Sequence, residues 1–600
     1  MTHRTNPELD LPELPNSIPD FGAVVPTLAA SGTTAASPFL IEGEFGFADG
    51  NLRGGFDRVA LCGRIVAEGV TLEAASAVNF VATPGLIRRE VTGPNGMCIE
   101  SAIVAPTLPL VAVQWSGGAG TGLKLHLPSG DGGGGEYNLD RNVVVARNAE
   151  DPDFCVAVGL HGANGAWAVR PSDEGRGLQL AHDLVPTGVI TLVIAAGRPE
   201  QVRSAFNAVA HVNAHSVRAT SPADDVLYTV TGLPEIDDGV AWAATRLRNA
   251  LAECRLSGPV AEAGHTNAPH AFWAGMGALA SGDKDSALRA LALLMDAENG
   301  GEQEAWPAPV LADLLAARIG LGTGDARYVR KRAEGLLLEP GRLSADHHDL
   351  GTLTIDNIAD ALRYSESAEQ IASVRGLSSQ IAPVGGRRRL PMAGVTSSTE
   401  IAFLAGALRH GASPPPTGSL ELDRMVSAWA EFPSYPETAW TAWRGALTEG
   451  LKSGPGGPGS WDGAEAATGI GAPVAGALLS ALVYGLLGYL PDAPSGRTRL
   501  APSFPAHLTS FGVSGLRLGD AQISMHYERE GAIHRFKLEP KVARVPPVVL
   551  LEPLLPGGRL TSARVDGDIA ELDSTPARDG IRARIQVPLD GDREIEFFTE

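Results

Sequence analysis

The chain has 600 residues and a mass of 62.3 kDa, too long for one compact core and enough for two to four domains. Lys plus Arg is 48 against 69 for Asp plus Glu, a net charge of −21, and so acidic a surface argues against nucleic acid or an anionic membrane as partner. A hydrophobic content of 44%, a charged content of 20% and a mean hydropathy of +0.02 describe a globular chain, neither disordered nor membrane-embedded.

Residues 1–36 show no apolar run behind a basic start and are read as an N-terminal extension without a secretory leader, which points to the cytoplasm. From Ser37 to residue 230 the text is short β-branched or alternating runs, such as Val111–Trp115, Asn142–Ala146, Phe154–Leu160 and Val189–Ala195, separated by Gly, Pro, Asn and Asp. Many strands so spaced predict an antiparallel β-sandwich. Asp131–Glu136 reads as a hairpin or loop tip, because no Lys or Ser/Thr follows to hold a phosphate. The four cysteines, Cys62, Cys98, Cys155 and Cys254, lie far apart with no CxxC, so no disulfide framework, zinc knuckle or other metal site is called, and no cofactor.

From 231 to 490 the period turns helical. Val240–Cys254 has apolar residues at 240, 243, 244, 247, 250, 251 and 254, the stripe of a core-facing helix. Further helices are expected over 270–280, 284–296, 307–320, 325–337, 354–363, 366–377, 397–410, 418–431, 436–451 and 470–489. Tight connections (Gly282-Asp283, Gly322–Gly324, the region of Ser365) alternate with long ones (255–269, 297–306, 338–353, 378–396). Antiparallel helices joined in that way gather the long loops at one end. Twelve of them would make an (α/α)6 barrel; one helix fails to show after residue 411. Ile470–Leu490 is long enough to span a bilayer but contains Pro473 and has no flanking Lys or Arg, so it is read as a buried helix. Alternation returns over Ala521–Arg529, Ala532–Leu538, Pro547–Glu552, Ile581–Val587 and Glu594–Phe598. The expected fold is therefore multidomain α+β: extension 1–36, N-terminal antiparallel β-sandwich 37–230, central (α/α)6 barrel 231–490 and small C-terminal β-domain 491–600.

Residues Ala475–Arg529, with Leu500-Ala501-Pro502-Ser503-Phe504-Pro505 and a Leu516-Arg517-Leu518-Gly519 expected to open a strand, resemble the end of the catalytic barrel and the following β-domain of (α/α)6 glycoside hydrolases of the bacterial glycogen-debranching (amylo-α-1,6-glucosidase) and glucosidase I types. Val104–Trp115 resembles their N-terminal sandwich, and Trp273–Met295 the helix pair near the start of their barrel. Where many members carry an Arg-Asp pair for the terminal sugar, this chain reads Pro269-His270-Ala271-Phe272-Trp273, which marks His270 and Trp273 as substrate-contacting candidates with altered chemistry.

Acetal hydrolysis needs a carboxylic acid for the leaving oxygen and a carboxylate to activate water, about 6.5–9.5 Å apart in inverting enzymes. In Asp346-His347-His348-Asp349, the resemblance implies that Asp349 is the acid. In Trp461-Asp462-Gly463-Ala464-Glu465 it implies Glu465 as base, with Asp462 as alternate. Trp306, Trp461 and Tyr435 are candidate sugar platforms, and Glu302, Glu304 and Glu437 candidate hydroxyl ligands. Each also has a structural use, since acids favour the first turn of a helix and Asp or Ser caps it. Metal binding by the His347-His348 pair lacks a distant third ligand. No GxSxG, P-loop, HExxH or strand-linked GxGxxG occurs. The expected function is an exo-acting inverting glycoside hydrolase acting on a small saccharide or oligosaccharide. The alternatives are a glycoside phosphorylase, whose phosphate would need Arg387–Arg389, and a non-catalytic saccharide or protein binder.

Overall fold

The computed structural model describes residues 30–33, 38–51, 54–73, 75–83, 85–105, 108–117, 122–128, 135–138, 142–147, 151, 153–163, 165–172, 177–183, 189–211, 227–252, 268–299, 308–338, 348–363, 366–380, 420–453, 472–541 and 544–600. By spatial contact the chain forms two compact units. The first holds residues 1–221, 248–264 and 449–471, and the second 222–247, 265–448 and 472–600.

The first unit is built on two antiparallel sheets. One has nine strands, with Val189–Gly197 paired between Leu110–Gly117 and Cys155–His161; the other has seven, with Arg64–Leu72 and Gly122–Pro128 near its centre. Val189–Gly197 reads as an unbroken apolar run because it is buried on both faces. One face is covered by a helix, α1 (Pro199–His211), whose Val202, Ala205, Phe206 and Val209 pack on Ala157, Val193 and Ala195. Sequence reading passed over α1, although Pro at its start and apolar residues at 202, 205, 206 and 209 carry the helical signature. In the same unit Arg89 and Glu100 are 1% and 3% exposed. Arg89 Nε donates to Glu100 at 2.7 Å and Nη1 to the Gly54 carbonyl at 2.8 Å, while the Trp115 indole donates to the other Glu100 oxygen at 2.9 Å. The guanidinium lies over the rings of Phe39 and Phe56 at 5.2 and 5.4 Å.

Among the described residues ten further helices follow: α2 (Pro234–Ala250), α3 (Ala268–Ala280), α4 (Lys284–Asn299), α5 (Ala308–Thr323), α6 (Arg327–Leu338), α7 (His348–Leu362), α8 (Ala368–Gln380), α9 (Leu420–Glu431), α10 (Pro436–Ser453) and α11 (Ala472–Ser480). In the second unit α9, α11, α3, α5 and α7 pack in that order as one row; α4, α6 and α8 back it, each against a helix of the row. The sequence distinguishes the rows. Helix α5 is apolar on nearly every side and buries twelve residues, whereas α6 is amphipathic and buries Val329, Arg332, Ala333 and Leu336.

Two boundaries differ from expectation. Helix α2 begins at Pro234, since Pro suits a first helical position and Ile236 adds a fully buried contact before Val240. Helix α7 begins at His348 instead of 354. Its Gly351, Thr352 and Thr354 are weak helix formers, and burial of Ile355, Ile358, Ala359 and Leu362 on one stripe overrides them. The expected helix 397–410 lies outside the described residues. The apolar segment ending at residue 490 is α11 continued by a π-helical turn, Ala481–Leu486, in which every residue is buried. No described helix is long and apolar enough to cross a membrane.

Helices α3 and α11 meet at Gly277 and Gly476. A Cβ on Gly277 would fall inside contact distance of the Gly476 backbone, and one on Gly476 inside that of the Trp273 carbonyl. Gly476→Ala is therefore expected to push the two helices apart and cost about 1–3 kcal/mol or more, read as a lowered denaturation midpoint; an unchanged midpoint would contradict the close crossing.

The second unit also contains a seven-stranded and a six-stranded sheet. Tyr228–Val230, before the helices, pairs with Ser510–Leu518 after them. Most strand pairs are antiparallel; Arg497–Leu500 and Val548–Leu551 run parallel. Leu516–Leu518 ends a strand instead of opening one, because Gly519 turns the chain at φ +64° into Ala521–Glu530.

Candidate functional site

Helices α3, α5 and α7 each leave through a short connection, at 281–283, 324–326 and 363–367, into a helix that packs on them. The last turns of α3, α5 and α7 gather at one place: the Gly282 carbonyl accepts from Arg517, the Gly322 carbonyl from the Gly519 N–H, and Arg363 pairs with Asp492, whose neighbour Ala493 lies beside Gly324 and Gly519, so the first turns of the three helices share the other end of the row. His270 is the third residue of α3 and Asp349 the second of α7, so the backbone brings these two candidates to that end. Glu302, Glu304, Trp306, Trp461, Asp462 and Glu465 lie outside the described residues, as do Asp346, His347 and Arg387–Arg389.

Tyr435 and Glu437 stand elsewhere. They open α10, which is entered through the short connection 432–435 from α9. Here the β-rich C-terminal part engages both. The Glu437 carboxylate accepts from the Ala506 backbone N–H and faces His507 Nδ1 at 2.8 Å. The Tyr435 ring lies under the Arg578 guanidinium, 4.4 Å from the centroid, and its hydroxyl accepts from that group. Trp273 is 0% exposed; its indole packs edge-on against Phe272 and Trp429 at 5.7 and 5.5 Å instead of presenting a face to solvent. Among the described residues no group of three His, Cys, Asp or Glu could hold a metal.

The start of α2 concentrates charge. Glu235 pairs with Arg444 at 2.6 Å and Asp237 accepts from the Thr231 backbone N–H at 3.0 Å. Asp238 has its carboxyl pushed up to about 6 by burial, helped by the Asp237 and Glu235 charges. A carboxyl raised in the folded state destabilises it as pH climbs from its usual 3.8 towards 6. Asp238→Asn is thus expected to raise the unfolding midpoint at pH 7, by about 1 kcal/mol once solvent screening is allowed for, and to leave it unchanged at pH 3.5. A gain equal at both pH values would refute the assignment.

Helix α5 contains what the sequence search passed over. In its apolar text the charges are Asp313 and Arg318, a signal visible once the segment is taken as buried. Asp313 is 0% exposed and is met by Arg332 Nε of α6, whose Nη2 also donates to the Pro309 carbonyl at 3.1 Å. Arg318 has its Nε closed off without a partner.

Comparison with protein-family models and with curated protein sequences finds no match. Among solved structures, the one described as "Putative kojibiose phosphorylase from human microbiome" superposes with a TM-score of 0.51 at 8% identity, covering 94% of this chain and 92% of that one. A bacterial glucoamylase complexed with acarbose gives 0.41 at 11% identity over 62% and 69% of the two chains. A family GH92 α-mannosidase from Bacteroides thetaiotaomicron gives 0.33 at 9% over 98% and 95%. The first likeness, nearly end to end in both chains, shows a shared fold.

Proposed function

We propose that this chain is a carbohydrate-active enzyme that cleaves a glycosidic bond in a small saccharide or oligosaccharide, as an exo-acting inverting hydrolase on an (α/α)6 barrel. The observation that carries this reading is the end-to-end fold likeness to the protein described as "Putative kojibiose phosphorylase from human microbiome". In the proposal Asp349 protonates the leaving oxygen and Glu465 takes a proton from the attacking water, with Asp462 as alternate base. Trp306 and Trp461 stack on sugar faces, Glu302 and Glu304 bind hydroxyls, and His270 contacts the terminal sugar. The position of Asp349 in the first turn of α7, at the same end of the row as His270, supports the assignment of the acid.

Phosphorolysis is the second reading, favoured by the printed description of that same neighbour. There phosphate replaces water, so the acid is retained and a base is dispensable. The test is a panel of aryl glycosides and α-linked disaccharides, each incubated with and without inorganic phosphate. Free sugar released in both conditions supports hydrolysis. Sugar 1-phosphate formed only with phosphate supports phosphorolysis. No turnover in either, with saccharide still raising the unfolding midpoint, leaves a non-catalytic binder.

A further inference from the structure

His534 is 1% exposed in Ile533–Lys541, the middle strand of the seven-stranded sheet of the second unit. Its neighbours in the sheet are Ala521–Glu530 and Arg593–Thr599, and each brings a hydroxyl to the ring. The Tyr527 hydroxyl lies 3.0 Å from Nδ1 and Thr599 Oγ1 lies 3.5 Å from Nε2. Thr599 has a second acceptor for its proton, the Ala532 carbonyl at 3.3 Å. Tyr527 is 3% exposed and packs on Phe504 at 4.6 Å, and among the described residues its hydroxyl meets no acceptor but His534.

These partners set the charge state of the ring. A phenol proton with one acceptor goes to Nδ1, so the neutral imidazole carries its hydrogen on Nε2 and directs it at Thr599. A second proton would have to sit on Nδ1, where the phenol already donates. Tyr527 would then have to accept, and its own O–H would be enclosed without a partner, a costly state. No neighbouring charge compensates. Directly opposite His534 stand Arg529 on Ala521–Glu530, a second cation, and Phe597 on Arg593–Thr599. Phe504 is uncharged, and His507 of the same segment is engaged by Glu437. Burial, helped by Arg529, pushes the imidazole down from its usual 6.5 to about 4. Burial also pushes the Tyr527 phenol up to about 12, which keeps it a donor.

We propose that His534, with Tyr527 and Thr599, forms a proton-sensitive latch that ties the three central strands of this sheet together near neutral pH and releases them in acid. The latch does not rest on the glycosidic reading. Its sign follows from the lowered imidazole. The stabilisation is complete above 6.5 and is lost as pH falls from 6.5 towards 4.

The test is urea unfolding of the full chain from pH 7 down to pH 4, with hydrogen exchange of the peptides covering 521–541 and 593–600. No turnover substrate is needed. His534→Gln offers the same two partners an acceptor and a donor but takes up no proton. Between pH 6.5 and 4 the unfolding constant of the parent is expected to rise more steeply than that of the variant, by about tenfold per pH unit, the effect of one proton. Exchange protection of the two peptides is expected to fall in the parent before that of the helices, and to persist in the variant. Tyr527→Phe removes the proton that has nowhere to go, so its acid dependence is expected to lie between the other two. Parallel profiles of the parent and His534→Gln overturn the proposal. So does loss of protection elsewhere while the two peptides stay protected. Should His534→Gln not fold, a Tyr527→Phe profile as steep as that of the parent overturns it.

Discussion

Asp349→Asn is expected to lower turnover of disaccharides by about 10²–10⁴-fold, the usual contribution of a positioned general acid. The loss should be far smaller on an aryl glycoside with a dinitrophenolate leaving group, which departs without a proton. Glu465→Gln should behave differently. Water still has to lose a proton whatever the leaving group, so hydrolysis should fall on both substrates alike. If phosphate is the nucleophile, Glu465→Gln should be nearly silent while Asp349→Asn keeps its leaving-group dependence. Turnover by either variant equal to the parent on all substrates would remove that residue from the mechanism. Circular dichroism of each variant separates lost chemistry from lost fold.

A comparable effect, on stability instead of rate, is expected in the first unit. Arg89 and Glu100 are almost wholly buried, and each uses the other together with neutral partners: the Gly54 carbonyl for the arginine and the Trp115 indole for the glutamate. Glu100→Ala would leave the guanidinium enclosed against Phe39 and Phe56 without its counter-charge. The expected cost is about 3–5 kcal/mol. Arg89→Met should cost a similar amount by stranding the carboxylate. The double variant Arg89→Met/Glu100→Leu should cost much less than the sum of the two singles, because no buried charge remains. A coupling near zero in the double-mutant cycle would show that the two groups act independently.

The two residues of the Arg89–Glu100 pair are eleven apart, and nothing in the letters marks them as partners. They meet because strands 86–93 and 96–104 pair in the register that sets Arg89 opposite Glu100. Tyr435 and Glu437 show the converse. Their letters, an aromatic and an acid at a helix start, suit a sugar wall, but Arg578 and His507 come from 143 and 70 residues away to engage them. Local sequence holds no information about such partners, since they are chosen by the packing of sheets on helices.

The sequence by itself determined the succession of β-rich, helical and β-rich stretches, because periods of two and of 3.6 are written in each segment independently of its neighbours. It also determined the alternation of short and long connections that sets His270 and Asp349 at one end of a helix row. The start of α2 is legible in Pro234, whereas only the tertiary structure shows that α7 begins at His348, ahead of the weak helix formers Gly351, Thr352 and Thr354. Tertiary structure alone decided which buried charges are matched. Among the described residues Asp313 meets an arginine of the next helix, while the Nε of Arg318 meets no acceptor, a difference that spacing along one helix cannot encode because the answering groups stand on other elements.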